Sequence, residues 1–290
     1  MNNFAIVTDS TSDLPAEMAG ELGVTVMPMR FTIHEKERLD WPDHREMDPH
    51  TFYDLLRGGE RATTAALNVH DYIETLTPIL EKGQDVLILV FSSGLSTTYQ
   101  SSVMAVEELR EAYPDRKIYT VDTLAASFGQ GLLVWHAAQL RAQGKSIDEV
   151  RDWAENNKLH LCHWFTVDDL NHLKRGGRVS AATALVGTML SIKPVLHVDN
   201  EGHLINMSKA RGRAASLKAL VDKIAETGID PGSQTIFISH GDCPEDAQKT
   251  ADMIKERFGV EHIEINTIGP VIGAHSGPGT MAVFYLGTER

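Results

Sequence analysis

The sequence predicts an α/β protein of two α/β domains: an N-terminal domain on a doubly wound parallel sheet and a C-terminal α/β domain, divided into 1–159 and 160–290. Three observations carry this expectation. Through the first half, short β-branched apolar runs alternate with amphipathic stretches, the pattern of repeated βαβ units. The run Asp85 to Phe91 (DVLILVF) has no polar alternation, as befits a strand covered on both faces. Beyond about residue 160 a hairpin pattern, VLHVDNEGHLI, breaks the alternation. At 290 residues and 42% hydrophobic side chains the chain is long enough for two ordinary domains.

The elements follow in order. A strand at FAIV (Phe4 to Val7) runs into TDSTSDLP, where Ser12 or Asp13 is placed to cap a helix with Pro15 near its first position. Val24 to Met27 makes a second strand. After DVLILVF, the segment SSGLS opens a long helix whose inner face carries Leu95, Tyr99, Val103 and Val106. Strand Lys117 to Asp122 follows, then a helix containing Ser127 to Leu140 and a shorter one from Ile147 to about Asn157. In the second half LHLCHWFTV reads as a strand, LKRGGRVS as a basic glycine-broken turn, and a helix ends near SIKP. The hairpin turns at Asn200 to Gly202, and a helix spans Gly212 to Glu226. Strand TIFIS, helix PEDAQKTADMIKERFG, strand HIEINTI, a glycine-rich loop and strand MAVFYL complete the chain.

Composition excludes several function classes. A net charge of -13 argues against a broad nucleic-acid surface, which needs clustered Lys and Arg. No stretch approaches the ~20 apolar residues of a membrane span, and MNNFAIVTDS lacks a signal-peptide pattern, so no stable membrane insertion and a cytoplasmic location are expected. Cys162 and Cys243 are expected as ordinary buried thiols. His160, Cys162 and His163 beside Asp168 and Asp169 match no zinc template, and neither metal nor cofactor is expected.

Five constellations can carry chemistry. FSSGLSTTYQSS ends a buried strand in small hydroxyl residues and Gly94, so Ser93, Gly94 and their amides at a helix N-terminus would form an anion site; Ser is also simply a good cap. Thr63 and Thr64 in ERATTAALN reach the same sheet edge, or cap the helix beginning near Asn68 to Tyr72. Asp9 sits after the first strand, with loop bracing as its expected role. IGPVIGAHSGPGT surrounds His275 with glycines that let backbone approach a ligand while the ring offers a titratable donor. Two basic islands, LKRGGRVS and SKARGR, place Lys174, Arg175, Arg178, Lys209, Arg211 and Arg213 against the acidic background, as a docking surface or a solvated face.

TDSTSDL, FSSGLSTTYQSS, DDLNHLKRGGRVS, MLSIKPVL and IGPVIGAHSGPGT, in this order over nearly the whole chain, resemble the DegV family. The resemblance implies a fatty acid in a tunnel between two α/β domains. It also implies service as the acyl-carrying subunit of fatty acid kinase, whose separate ATP-binding subunit phosphorylates the bound carboxylate for phospholipid synthesis. By the same resemblance the long-chain acid's carboxylate falls to Ser93 and Thr63, with His275 close by, and Arg175 and Arg211 lie at the tunnel mouth where the kinase subunit docks. Where the family reads TSQPS this chain has Thr63-Thr64-Ala65-Ala66-Leu67, which leaves open whether Thr63 or Thr64 binds; where it reads SGTYQ, Thr97 stands for the glycine. The resemblance implies no catalysis by the chain itself. The alternative is a hydrolase using Ser93, His275 and Asp9 on an ester or acyl phosphate, although the GxSxG elbow is missing.

Overall fold

The structure, a computed structural model, describes residues 4–180 and 192–290. Strands β1 (Phe4–Asp9), β2 (Val24–Met27), β6 (Asp85–Val90) and β7 (Ile118–Asp122) form a parallel sheet in the order β2-β1-β6-β7. Successive side chains on a strand point to opposite faces. Ile6, Leu87, Leu89 and Val121 accordingly join one core and Val7, Val86, Ile88 and Val90 another. Helices α3 (Val69–Glu81) and α4 (Thr98–Ala112) cover the second face; α5 (Phe128–Ala142) and α6 (Ile147–Asn157) cover the first. This is the doubly wound unit that the unalternating DVLILVF run predicts.

The second sheet has six strands in the order β10-β9-β8-β13-β11-β12. They are β8 (Leu161–Thr166), β9 (Ile192–Val198), β10 (Leu204–Arg211), β11 (Thr235–His240), β12 (His262–Thr267) and β13 (Met281–Leu286). Only β11 and β12 pair in parallel; the other neighbours are antiparallel. Helices α8 (Arg213–Thr227) and α9 (Pro244–Phe258) pack on its outer face around Leu220, Ile224, Ala251 and Ile254.

Helix α5 lies between the two sheets. Its buried positions run around the whole helix, Phe128 through Val134 in sequence, because apolar walls meet it on both sides. Gly129 permits that sandwich: a Cβ there would collide with the His163 ring and lie 2.6 Å from Phe284. One core therefore runs through both halves, from Ile6 and Leu87 to Phe237 and Phe284.

Several local expectations are overturned. Between β2 and α3 the chain makes a small antiparallel sheet, β4-β3-β5, of β3 (Met29–Ile33), β4 (Lys36–Asp40) and β5 (Thr63–Ala65), with α2 (Pro49–Arg57) beside it. The hairpin turn is hidden in sequence because His34 and Glu35, not Asn or Gly, hold φ of 52° and 58°. Thr63 and Thr64 form a strand, and Asn68 caps α3 in a capping box with Asp71. The first helix, α1 (Ala16–Leu22), has no side-chain cap: Asp13 instead adopts φ 50° and turns its carboxyl elsewhere. SSGLS does not begin a helix, since α4 starts at Thr98. The glycine-rich segment before β13 contains α10 (Pro270–Ser276), and LKRGGRVS contains α7 (Asn171–Arg175). The helix expected to end near SIKP lies outside the described residues.

Candidate functional site

A cavity of about 550 Å³ opens between the edge of the parallel sheet and the inner face of the six-stranded sheet. Its long wall is apolar: Phe91, Phe165, Val198, Leu204, Ala282 and Phe284. At one end the polar side chains Thr64, Ser93, Ser96, Arg178 and His275 gather.

Each polar group is set by a local device. Strand β5 pairs with β3, Phe31 opposite Thr64, and the Thr64 hydroxyl meets His275 Nε2 at 2.8 Å. His275 stands near the end of α10, which approaches its neighbours closely; a Cβ on Gly273 would sit 2.6 Å from the Tyr53 hydroxyl. Burial and the Arg178 charge push His275 down to about 4, so the ring is neutral at neutral pH. Arg178 gives Nε and Nη2 to Leu95 O at 3.2 and 3.0 Å and Nη1 to Gly176 O, so among the described residues backbone carbonyls hold this half-buried cation at the polar end.

The loop after β6 differs from the expected anion cradle. Its amides are already used: Ser93 N–H donates to Asp122 Oδ1 at 3.1 Å, Gly94 N–H to Ser92 Oγ at 3.1 Å, and the amides of Leu95 and Ser96 to Ser92 O. What the loop offers is the exposed Ser93 hydroxyl, which has no partner among the described residues. Gly94 does not line the cavity. It lets the loop lie against the 201–202 turn, where a Cβ would stand 2.7 Å from Glu201 O.

The structure thus brings Thr64, Ser93 and His275 to one place and leaves Gly94 and Thr63 out of it. Thr63 faces a second hollow of about 450 Å³ that shares Thr64, Arg178 and His275 with the first and whose other charged or titratable lining residues are Glu60, Arg61, His172 and Arg175. Arg175 is exposed, 2.9 Å from His172 Nδ1. Arg211, exposed at the end of edge strand β10, touches neither hollow. Arg213 belongs to an ion-pair cluster with Asp246 and Asp168. Sequence reasoning placed Arg178 in a basic island but could not say which member turns inward, because spacing in a turn sets no face.

No hydrolytic triad forms. Asp9 is buried elsewhere, accepting from the Thr11 hydroxyl, Phe91 N–H and Gln130, and His275 pairs with Thr64 rather than Ser93. Cys162 is buried and Cys243 half-buried, both free. Among the described residues no helix is long and apolar enough to cross a membrane.

A model described as "Uncharacterised protein, DegV family" matches residues 3–288. A DegV domain-containing protein of Clostridium perfringens is 48% identical over 290 residues, covering 100% of this chain and 99% of the relative. A solved DegV family protein from Thermus thermophilus, described by its fatty acid binding, superposes with a TM-score of 0.86 at 32% identity, covering 98% of this chain and 99% of that one. The Streptococcus pneumoniae fatty acid kinase B3 protein, solved with linoleic acid, shares the fold with a TM-score of 0.84 at 22% identity, covering 98% and 99%. With a family match over nearly its whole length and a relative 48% identical end to end, this chain belongs to the DegV family.

Proposed function

We propose that this protein holds one long-chain fatty acid, its carboxylate among Thr64, Ser93 and His275 and its tail along the apolar wall of the cavity. One observation carries the reading: a single cavity joins hydroxyl and imidazole groups, with the Arg178 guanidinium beside them, at one end to an aromatic and aliphatic wall along its length. Such an acid needs two unlike environments. Each buried methylene contributes ~0.8 kcal/mol, so the tail dominates affinity. Hydrogen bonds to a charged head, ~1.5–3 kcal/mol each, fix its position. The fatty acid binding described for the Thermus thermophilus relative supports the same reading.

The protein presents this carboxylate to a separate ATP-binding kinase subunit and catalyses nothing itself. The motif resemblance supports that role, as does the neighbouring hollow, which shares Thr64 and His275 with the cavity and carries Arg61, Arg175 and Arg178 against one carboxylate, Glu60. Arg175 and Arg211, exposed on the same half of the chain, serve as docking residues.

Native mass spectrometry of gently purified protein tests the ligand: a bound acid of palmitate or oleate mass is expected, and a protein that neither carries nor takes up such an acid ends the reading. For docking, Arg175→Glu and Arg211→Glu should weaken association with the kinase subunit while lipid content stays that of the parent. Unchanged association returns both to solvated-surface roles.

A further inference from the structure

We propose that Asp13 and Asp40 are positioning residues for the head-group site: two carboxyls from the first half of the chain cap the first amides of α10 and thereby hold His275 against Thr64. The proposal deepens the fatty acid reading and rests on it for its functional consequence.

The N-cap of helix α10 is Gly269, which has no side chain with which to cap the first turn. The caps come from far away in sequence. Gly269 N–H donates to Asp13 Oδ1 at 2.9 Å and Val271 N–H to Asp40 Oδ2 at 3.2 Å. Both carboxyls converge on one point, since a Cβ on Gly269 would stand 3.1 Å from Asp13 Oδ1 and from Asp40 Oδ2 alike. Two further bonds from the first half grip the same segment. Asn266 Nδ2 donates to Asp13 O at 2.7 Å, and the buried Tyr53 hydroxyl to Ile268 O at 3.0 Å. The segment leading into α10 is therefore gripped by the first half of the chain, and its far end carries the imidazole that meets Thr64.

The groups facing this pair are acidic or neutral. Asp13 also accepts from the Ser127 hydroxyl, and Asp40 from Ser10. Asp9 is the nearest further charge, with Tyr53 beside both and Asp242 and Cys243 beyond it. No Lys, Arg or His figures among the charges acting on either carboxyl. Burial accordingly raises Asp13, with Asp40 and Asp9 adding to the shift, and pushes Asp40 up to about 7. As pH rises through 7, Asp40 ionises without a cation to meet it. Between about pH 3.9, where a wetted carboxyl would ionise, and about 7, the capped arrangement loses up to about tenfold per pH unit against any arrangement that wets this carboxyl, and above 7 it loses no more.

The test reads the His275 imidazole by nitrogen NMR in lipid-free protein, with palmitate affinity measured in parallel. In the parent protein the His275 signal is expected to move from about pH 6 to about pH 9, a range in which the ring itself, held to about 4, does not titrate. Asp40→Asn keeps an acceptor for Val271 N–H and should abolish that movement. Asp40→Ala should displace the signal and weaken palmitate about tenfold. Asp13→Asn, which keeps an acceptor for Gly269 N–H, serves if Asp13→Ala does not fold. A His275 signal flat across this range in the parent, or unchanged in folded Asp40→Ala, overturns the proposal. An imidazole that responds in a protein that never binds palmitate leaves the capping intact and defeats the fatty acid reading instead; palmitate binding with an unresponsive imidazole does the reverse.

Discussion

The two halves of the chain build unlike walls for the same cavity. The first half supplies the hydroxyls Thr64, Ser93, Ser96 and Ser127 beside apolar groups such as Phe91 and Leu95, whereas the six-stranded sheet supplies chiefly the apolar side chains Phe165, Val198, Leu204, Ala282 and Phe284. The difference follows from how each sheet meets the cavity. A parallel sheet offers the loops beyond its strand ends, which are rich in Ser and Thr, and an antiparallel face offers every second side chain of its strands. On the proposed reading, the hydroxyls that position the head come from the first half and much of the wall that holds the tail comes from the second. The Thr64 to His275 bond at the polar end crosses between them, so the head site exists only while the halves keep their register.

The largest expected effect attacks the affinity wall. Leu204, half-buried at the start of β10, can be enlarged with less damage than a strand-centre residue. Leu204→Trp should shorten the usable cavity and cost about fourfold per excluded methylene, hence over about 100-fold for oleate while decanoate is largely retained. Calorimetric titration with acids of graded length checks this; uniform loss at every length would place Leu204 away from the tail. Next comes the positioning half. Thr64→Val removes the hydroxyl without changing volume much and should weaken palmitate by about 10- to 100-fold. Ser93→Ala should cost about tenfold, because its exposed hydroxyl has water as an alternative partner. If Ser93→Ala proves the more damaging, the carboxylate leans on the loop after β6 rather than on the bond between halves.

The doubly wound sheet was legible because buried parallel strands read as unbroken apolar runs, and DVLILVF has no other good explanation. The hairpin of β3 and β4 was not: KERLD is polar, and His34-Glu35 carries none of the usual residues for a left-handed turn. At the site, Ser93 and His275 were legible as chemistry, from a hydroxyl after a buried strand and a ring among glycines. Their setting was misread in both cases. The glycines around His275 serve a helix packed closely on Tyr53 and His172, and Gly94 serves contact with a neighbouring turn. The choice between Thr63 and Thr64 depends on strand alternation, which became readable only once β5 was seen to pair with β3. Asp13 looked like a local cap because the group it caps lies 256 residues away in sequence.

Buried ionisable groups extend the contrast and give the smallest expected effect. The first half buries the carboxyls Asp9, Asp13 and Asp40 with raised pKa values; histidines with lowered ones lie in both halves, His136 in the first and His163, His197 and the half-buried His275 in the second, with His136, His197 and His275 at about 4. The signs oppose. A folded-state carboxyl held near 7, as Asp40 is, contributes stability that is full below about 3.9 and lost as pH rises through 7. A histidine held near 4 binds its proton more readily when unfolded, so its contribution is lost as pH falls from about 6.5 toward 4. Between those limits acidification strengthens the contribution of Asp40 and weakens that of His275. His275→Gln should therefore reduce the loss of stability between about pH 6.5 and pH 5 by at most roughly 2 kcal/mol, less where water reaches the ring. Asp40→Asn should deepen that loss. Urea unfolding at the two pH values measures both, and variants that shift the slope in the same direction would show that Asp40 and His275 do not titrate as opposites.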